Sequence, residues 1–286
     1  MGRGGKLMLE FQMFRIKVYP SPQGFLFEPP KIPSEILKDV ILSLPSAELR
    51  KGMIWHIGNV LILEEGGLYF RIGRTTKSTL EIYENGNFEE QEFETAPYTH
   101  VVLDIRLEVC AIAKKSKLSP KTTGIANQFV RLLNESTHTR QIKASFEINE
   151  INDPTDFITH LRQAFSVSKF WVTFSRPNAF DVNEDFIKPT QKLLKDSNGE
   201  KGKTQMEGDN LNPEGLEDIA RSAASTGNDA AAWLQTSDTS QKVRKRLKGN
   251  PIIVRQEDVA DLEHKMKMLQ LIRENYKSVR GTIDTE

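Results

Sequence analysis

Cysteine is nearly missing from this chain: Cys110 stands alone, which excludes a disulfide framework and any cysteine-rich zinc site. It lies in the apolar run Leu107 to Ile112 and reads as a buried, inert thiol. An excess of one charge is missing too, since 39 Lys and Arg residues face 39 Asp and Glu. A formally neutral protein has no global field to draw it toward nucleic acid or acidic lipid, so any such binding must be local. No window approaches the roughly eighteen apolar residues that a spanning helix needs, and the N-terminal stretch lacks the apolar core of a signal peptide. A soluble, cytoplasmic protein without direct membrane insertion is expected. Histidines are few and scattered (His56, His100, His138, His160, His264), with no metal-ligand spacing among them, so no metal and no cofactor is expected.

What is present suffices for two ordinary cores: 286 residues, 38% of them hydrophobic and 27% charged. The clearest strand is Lys169 to Ser175. Phe170, Val172 and Phe174 alternate with Trp171, Thr173 and Ser175, and bulk on both faces predicts packed layers on both sides. Residues 1–12 read as a disordered leader, with Met13 as a possible true start before the strand Phe14 to Tyr19. A proline-rich connection follows, then a helix from Ser34 to about Leu44. From Met53 to Lys114 the apolar period is two, and the turns Glu64 to Gly67 and Glu84 to Asn87 predict an antiparallel meander of about six strands. Ser119-Pro120 opens a helix that carries Ile125, Phe129, Leu132 and Leu133.

The second half alternates strands with helices. Ala144 to Ile148, a helix from Asp153, and the Phe170 strand form the order that normally makes a parallel pair with a crossover. Asn212-Pro213 opens another helix, Ala230 to Leu234 reads as helix or strand alike, and a long helix closes the chain from about Glu257 to Ser278. The expected class is α+β: a β-rich N-terminal domain over 13–140 with a meander and flanking helices, and a mixed α+β C-terminal domain over 141–286.

Catalytic signatures fail on inspection. Ser197 to Thr204 ends like a phosphate-binding loop, but a strand-like segment follows where the phosphate-capturing helix should begin. Carboxylates cluster at Glu147, Glu150, Asp153 and Asp156 and again at Asp181, Glu184 and Asp185, either of which could serve a metal-dependent nuclease. The acidic-x-Lys pair nearest to a nuclease pattern, Glu263 and Lys265, lies on a helix where the two side chains diverge. The protein is therefore expected to have no catalysis of its own. A protein-binding scaffold is the remaining alternative.

The usable signal is basic. Lys242, Arg244, Lys245, Arg246 and Lys248 stand close together with no acid between them, and Lys114, Lys115 and Lys117 form a second patch with Lys121 and Arg74 nearby. Such patches contact phosphates by Coulombic attraction and counterion release. No helix-turn-helix or finger pattern is present, so backbone contacts without sequence specificity are expected. On the terminal helix, Val259, Leu262, Met266 and Leu269 make a short heptad seam while Met268 and Leu271 lie off it, which predicts a homodimer through the off-seam face.

The order of elements, with Lys203 to Asp209, Lys248 to Val254 and the closing helix Val259 to Ser278, resembles the Rex-type phage-exclusion proteins and related bacterial phage-defence components. The resemblance implies a cytoplasmic, dimeric sensor that binds DNA without sequence specificity and signals to an effector protein. It carries over no individual residue.

Overall fold

The computed structural model describes residues 8–20, 32–175, 187–197, 199–257 and 259–281. Its elements in the first half are β1 (Leu9–Tyr19), α1 (Pro33–Leu42), β2 (Ser46–Arg50), β3 (Met53–Ile62), β4 (Gly67–Glu84), β5 (Asn87–Thr95), β6 (Tyr98–Asp104), β7 (Val109–Ala113), α2 (Thr122–Glu135) and α3 (Thr137–Ile142). The second half runs β8 (Ser145–Glu150), α4 (Thr155–Gln163), β9 (Ser166–Ser175), α5 (Ile187–Asp196), β10 (Lys201–Glu207), α6 (Pro213–Thr226), β11 (Ala230–Gln235), β12 (Val243–Arg246), β13 (Ile253–Gln256) and α7 (Leu262–Arg280). The class is α+β, with antiparallel pairing in both sheets.

Strand β1 organises the larger sheet, because both of its faces are buried. Phe14, Ile16 and Val18 point into one apolar layer with α1 and α2, while Phe11 and Met13 point into another with α7. One edge pairs with β7; the other pairs with β13 over Leu9 to Gln12 and with β8 from Phe14 to Tyr19. The leader expected over 1–12 therefore ends earlier, since residues 9–12 are laddered and Phe11 is fully buried. Arg15 and Lys17 of β1 have partners inside the fold. Buried Arg15 donates to the Tyr276 hydroxyl at 2.7 Å and lies 3.5 Å from Glu108, and Lys17 donates to Asn228 at 2.9 Å.

The full order of this sheet is β13-β1-β7-β6-β4-β3-β2, with β8 beside β1 and β5 beside β4. Two strands from beyond residue 140, β8 and β13, thus complete it, so the C-terminal half expected as a domain over 141–286 contributes to the same sheet as the first half. The expected parallel pair does not form either. β8 pairs antiparallel with β1 and β9 belongs to the other sheet, because the α4 connection carries the chain between sheets and does not cross over within one.

Within the meander, the stretch between the turns at Glu64 to Gly67 and Glu84 to Asn87 is one strand of 18 residues, β4. Its first half pairs with β3 and β6, whereas beyond Thr75 it pairs with β5 alone. The result is a two-stranded arm. Asn85 and Gly86 turn it with φ of 50° and 86°, the left-handed pair that a two-residue hairpin loop requires. No residue between Gly73 and Tyr98 is buried.

The smaller sheet has the order β10-β9-β11-β12, so the Phe170 strand is internal as expected. The ambiguous Ala230 to Leu234 segment resolves as β11, since alanines pack where Phe170 and the helices α4 and α6 leave little room. Helix α6 begins on Pro213, with Asn212 accepting the Glu214 N–H at 3.1 Å, and ends on Gly227 at φ 64°. Helix α7 begins at Leu262, later than its apolar pattern suggested, where Asp261 accepts the His264 N–H at 2.8 Å. Helices α4, α6 and α7 share one apolar core with both sheets. Among the described residues, no helix is long and apolar enough to cross a membrane.

Candidate nucleic-acid interface

Period two divides β9 into unlike faces. Phe170 and Val172 join the core, with the Phe170 ring 6.4 Å from that of Phe157 on α4. The opposite face carries Lys169, Trp171 and Thr173, and antiparallel register fixes what stands beside them. One row across the sheet is Glu207, Lys169, Trp233 and Arg244; the next is Gln205, Trp171, Ala231 and Arg246; Lys203 stands opposite Thr173. Four strands thus bring two indoles and five cations, Lys201 opposite Ser175 included, onto one face.

The cations lie on the rings. Lys203 Nζ is 4.4 Å from the Trp171 centroid, Lys169 Nζ is 5.4 Å from that of Trp233, and the Arg244 guanidinium is 5.5 Å from Trp171 and 5.0 Å from Trp233. Each contact at such a site contributes about 0.5–1 kcal/mol, enough to pre-position a flexible side chain without immobilising it. Trp171 is 9% exposed beneath its cations, whereas Trp233 is half-buried, and Lys203, Arg244 and Arg246 are exposed. The face is therefore open at its cations and at the second indole.

Acid is sparse on this face. Glu207 binds Lys169 at 2.8 Å, and that hydrogen bond, with the attraction of the ammonium, holds its carboxyl below the usual range. At the far end Lys201 reaches Glu147 on β8 at 2.9 Å, and Glu147 in turn accepts from Tyr19. Burial first, then the neighbouring Glu147 carboxylate, pushes the Tyr19 phenol up. Lys203, Arg244 and Arg246 make no ion pair among those of the described residues.

The basic stretch itself is a strand, and this divides its charges. Arg244 and Arg246 lie on the tryptophan face, while Lys245 stands opposite Ala232 and is half-buried on the helix side. Lys242 and Lys248 flank the strand, both exposed. Gly249 then passes close against Asp153, and no other residue would fit: a Cβ there would lie 1.8 Å from the Asp153 carbonyl oxygen. The second predicted patch belongs to the other sheet. Lys114, Lys115 and Lys117 are exposed in the loop after β7, where the Lys114 N–H donates to the Glu10 carbonyl at 2.8 Å and the Lys117 carbonyl accepts from Arg74 at 3.2 Å. Lys169, Lys203, Trp171 and Trp233 were not singled out from the sequence as ligand-binding; the Lys169-x-Trp171 and Lys201-x-Lys203 alternations were the available signal.

Three carboxylates of the first acidic group have structural partners, Glu147 with Tyr19 and Lys201 among them. Glu150 accepts from Gln12 at 2.8 Å, and Asp153 receives the Thr155 N–H at 2.9 Å at the start of α4. Asp181, Glu184 and Asp185 lie outside the described residues. Among the described residues, no three His, Cys, Asp or Glu side chains converge as a metal site. Gly202-Lys203-Thr204 lies inside β10, so the phosphate-loop look-alike is a strand. Cys110 is buried as expected, and burial pushes its thiol pKa up.

A family model described as Domain of unknown function (DUF4747) matches residues 33–273. The chain belongs to this family. The DUF4747 match takes in the arm and every cation and indole of the tryptophan face. None of the curated proteins compared with the chain matches it.

Proposed function

We propose that this DUF4747 protein binds single-stranded nucleic acid, without base-specific reading, on the tryptophan face of its smaller sheet. The observation that carries the reading is the tiling of Trp171 and Trp233 with Lys169, Lys203 and Arg244 on one sheet face. Proteins that hold single strands combine cations that track the backbone with aromatic rings on which bases stack, and each stacked base contributes about 1–3 kcal/mol. Lys203, Arg244 and Arg246 would meet phosphates, and Trp233 is the ring with room for a base. Duplex DNA offers charge but keeps its bases stacked away, so it would use only the first half of this surface. The biological setting we attach is the one implied by the element order, a sensor or accessory component of phage defence that signals to an effector protein.

Fluorescence anisotropy with labelled homopolymeric DNA and RNA strands tests this reading. Binding should weaken with salt by about −0.7 in the log–log slope for each phosphate neutralised. Trp233→Ala and Arg244→Glu should each lower affinity at least severalfold with little change in melting temperature. Salt-independent binding, equal affinity in both variants, or tighter binding to a duplex of matched charge would overturn the stacking reading. Strand cleavage in magnesium would replace it with the nuclease alternative.

A further inference from the structure

Of the terminal-helix face expected to carry a homodimer, Met268 is fully buried beside Leu269 and Ile272, and half-buried Leu271 packs against the same core. Another element has the surface that a partner needs. On the β4–β5 arm, residues 76–95 carry six glutamates against Lys77 alone. Register places Glu81, Glu90, Glu92 and Glu94 on one face with Tyr83 and Phe88, whose rings stack with centroids 4.9 Å apart. Glu81 and Glu90 stand directly opposite each other, a repulsion that a lone ribbon carries at a cost. Phe88 is 84% exposed and Tyr83 63%, while the reverse face shows Leu80 at 52%. A two-stranded ribbon is marginal in water, and exposed aromatics at its tip are further destabilising unless something covers them.

We propose that this arm is a contact between copies of the chain, with its acidic, aromatic-tipped face seated on the basic tryptophan face of the smaller sheet in a second copy. The two surfaces are complementary in sign and in kind. Glutamates meet Lys203, Arg244 and Arg246, and Tyr83 and Phe88 meet the indoles. Segment 76–84 extends roughly 30 Å, longer than the width of four strands at about 4.8 Å spacing, so one arm can cross the whole face. Because arm and nucleic acid use the same cations, the arm would hold the face closed until a nucleic acid competes it away. This last step rests on the function proposed above; the contact between copies needs only the charge of the face.

Sedimentation velocity tests the contact at low and high salt. The wild type should self-associate with rising concentration, more weakly as salt screens the pairing. Glu81→Lys, Glu90→Lys and Glu92→Lys together should give a monomer, and so should Lys203→Glu with Arg244→Glu. Mixing these two variants should restore association, because a lysine arm then faces an acidic sheet. A wild type that stays monomeric at low salt, an arm variant that still associates, or a mixture that stays apart overturns the contact. The arm variant should bind single strands at least as well as the wild type. If pairing follows the charges while no strand binds, the contact stands and the nucleic-acid reading fails.

Discussion

Around β1 the nine-stranded sheet has apolar layers on both faces, α1 and α2 on one side and α7 with its neighbours on the other, whereas the four-stranded sheet buries one face and carries tryptophans under lysine and arginine on the second. The alternation along β9 looks alike in kind to that along β1. What differs is what answers it. On β1 the charged members, Arg15 and Lys17, find a tyrosine, a glutamate and an asparagine inside the protein. On β9 and its neighbours, among the described residues, Lys203 and Arg244 lie over indole rings and Arg246 is exposed. A cation answered within the fold belongs to its architecture; one answered by a ring and water is open to a ligand.

The largest test of that contrast is truncation of aromatics in the two settings. Phe70 is fully buried, its ring 5.5 Å from that of Phe129, so Phe70→Ala should cost about 3–5 kcal/mol in urea unfolding. Phe88→Ala on the arm should leave the unfolding midpoint of the monomer close to that of the wild type. Equal losses would mean that the arm is part of the core.

Next in size is a pH effect confined to the closed sheet. Burial raises the Cys110 thiol pKa above its unfolded value of about 8.5, so the folded state keeps a proton that the unfolded chain releases. The contribution is fully present below about pH 8.5 and is lost as pH rises, at about 1.4 kcal/mol per unit. Cys110→Ala should flatten the fall in stability between about pH 8.5 and 10 relative to wild type; parallel slopes would show that the thiol ionises in place.

Smaller, but more selective, is the difference between neighbours on β12. Arg244→Glu should weaken strand binding, whereas Lys245→Glu, on the other side of the same strand, should change it far less. Comparable losses would mean that net charge decides, and the indoles would then have no part in it. Least of all should be the stability change in Lys203→Glu, expected within about 1 kcal/mol because the side chain is exposed and loses a single ring contact. A large loss would show that the cation over Trp171 serves the fold.

Much of the fold was legible where the signal was local. The caps and stripe of α6, the strand at Phe170 and the hairpin turn at Asn85-Gly86 all depend on residues a few positions apart. Partners at long range were not. Nothing in Leu9 to Gln12 marks Ile253 to Gln256 as its ladder, and the parallel pair expected across α4 failed for the same reason. The site was half legible. Counting charge over Lys242 to Lys248 found Arg244 and Arg246 but included Lys245, because charge density does not record which way a strand's side chains point. Lys169 and Lys203 entered only when register placed them beside the indoles.

The place of β1 bears on how the chain is made. Glu10 and Arg255, paired across the β1–β13 ladder, are 245 positions apart. At about 5–20 residues per second, a ribosome needs roughly 12–50 s to travel that distance. Throughout that interval one edge of β1, from Leu9 to Gln12, lacks its native ladder partner, and an unpaired strand edge on a nascent chain is a template for wrong pairing. A chain stopped before residue 253 would keep that edge open, making completion of synthesis the step that protects the first strand from aggregation.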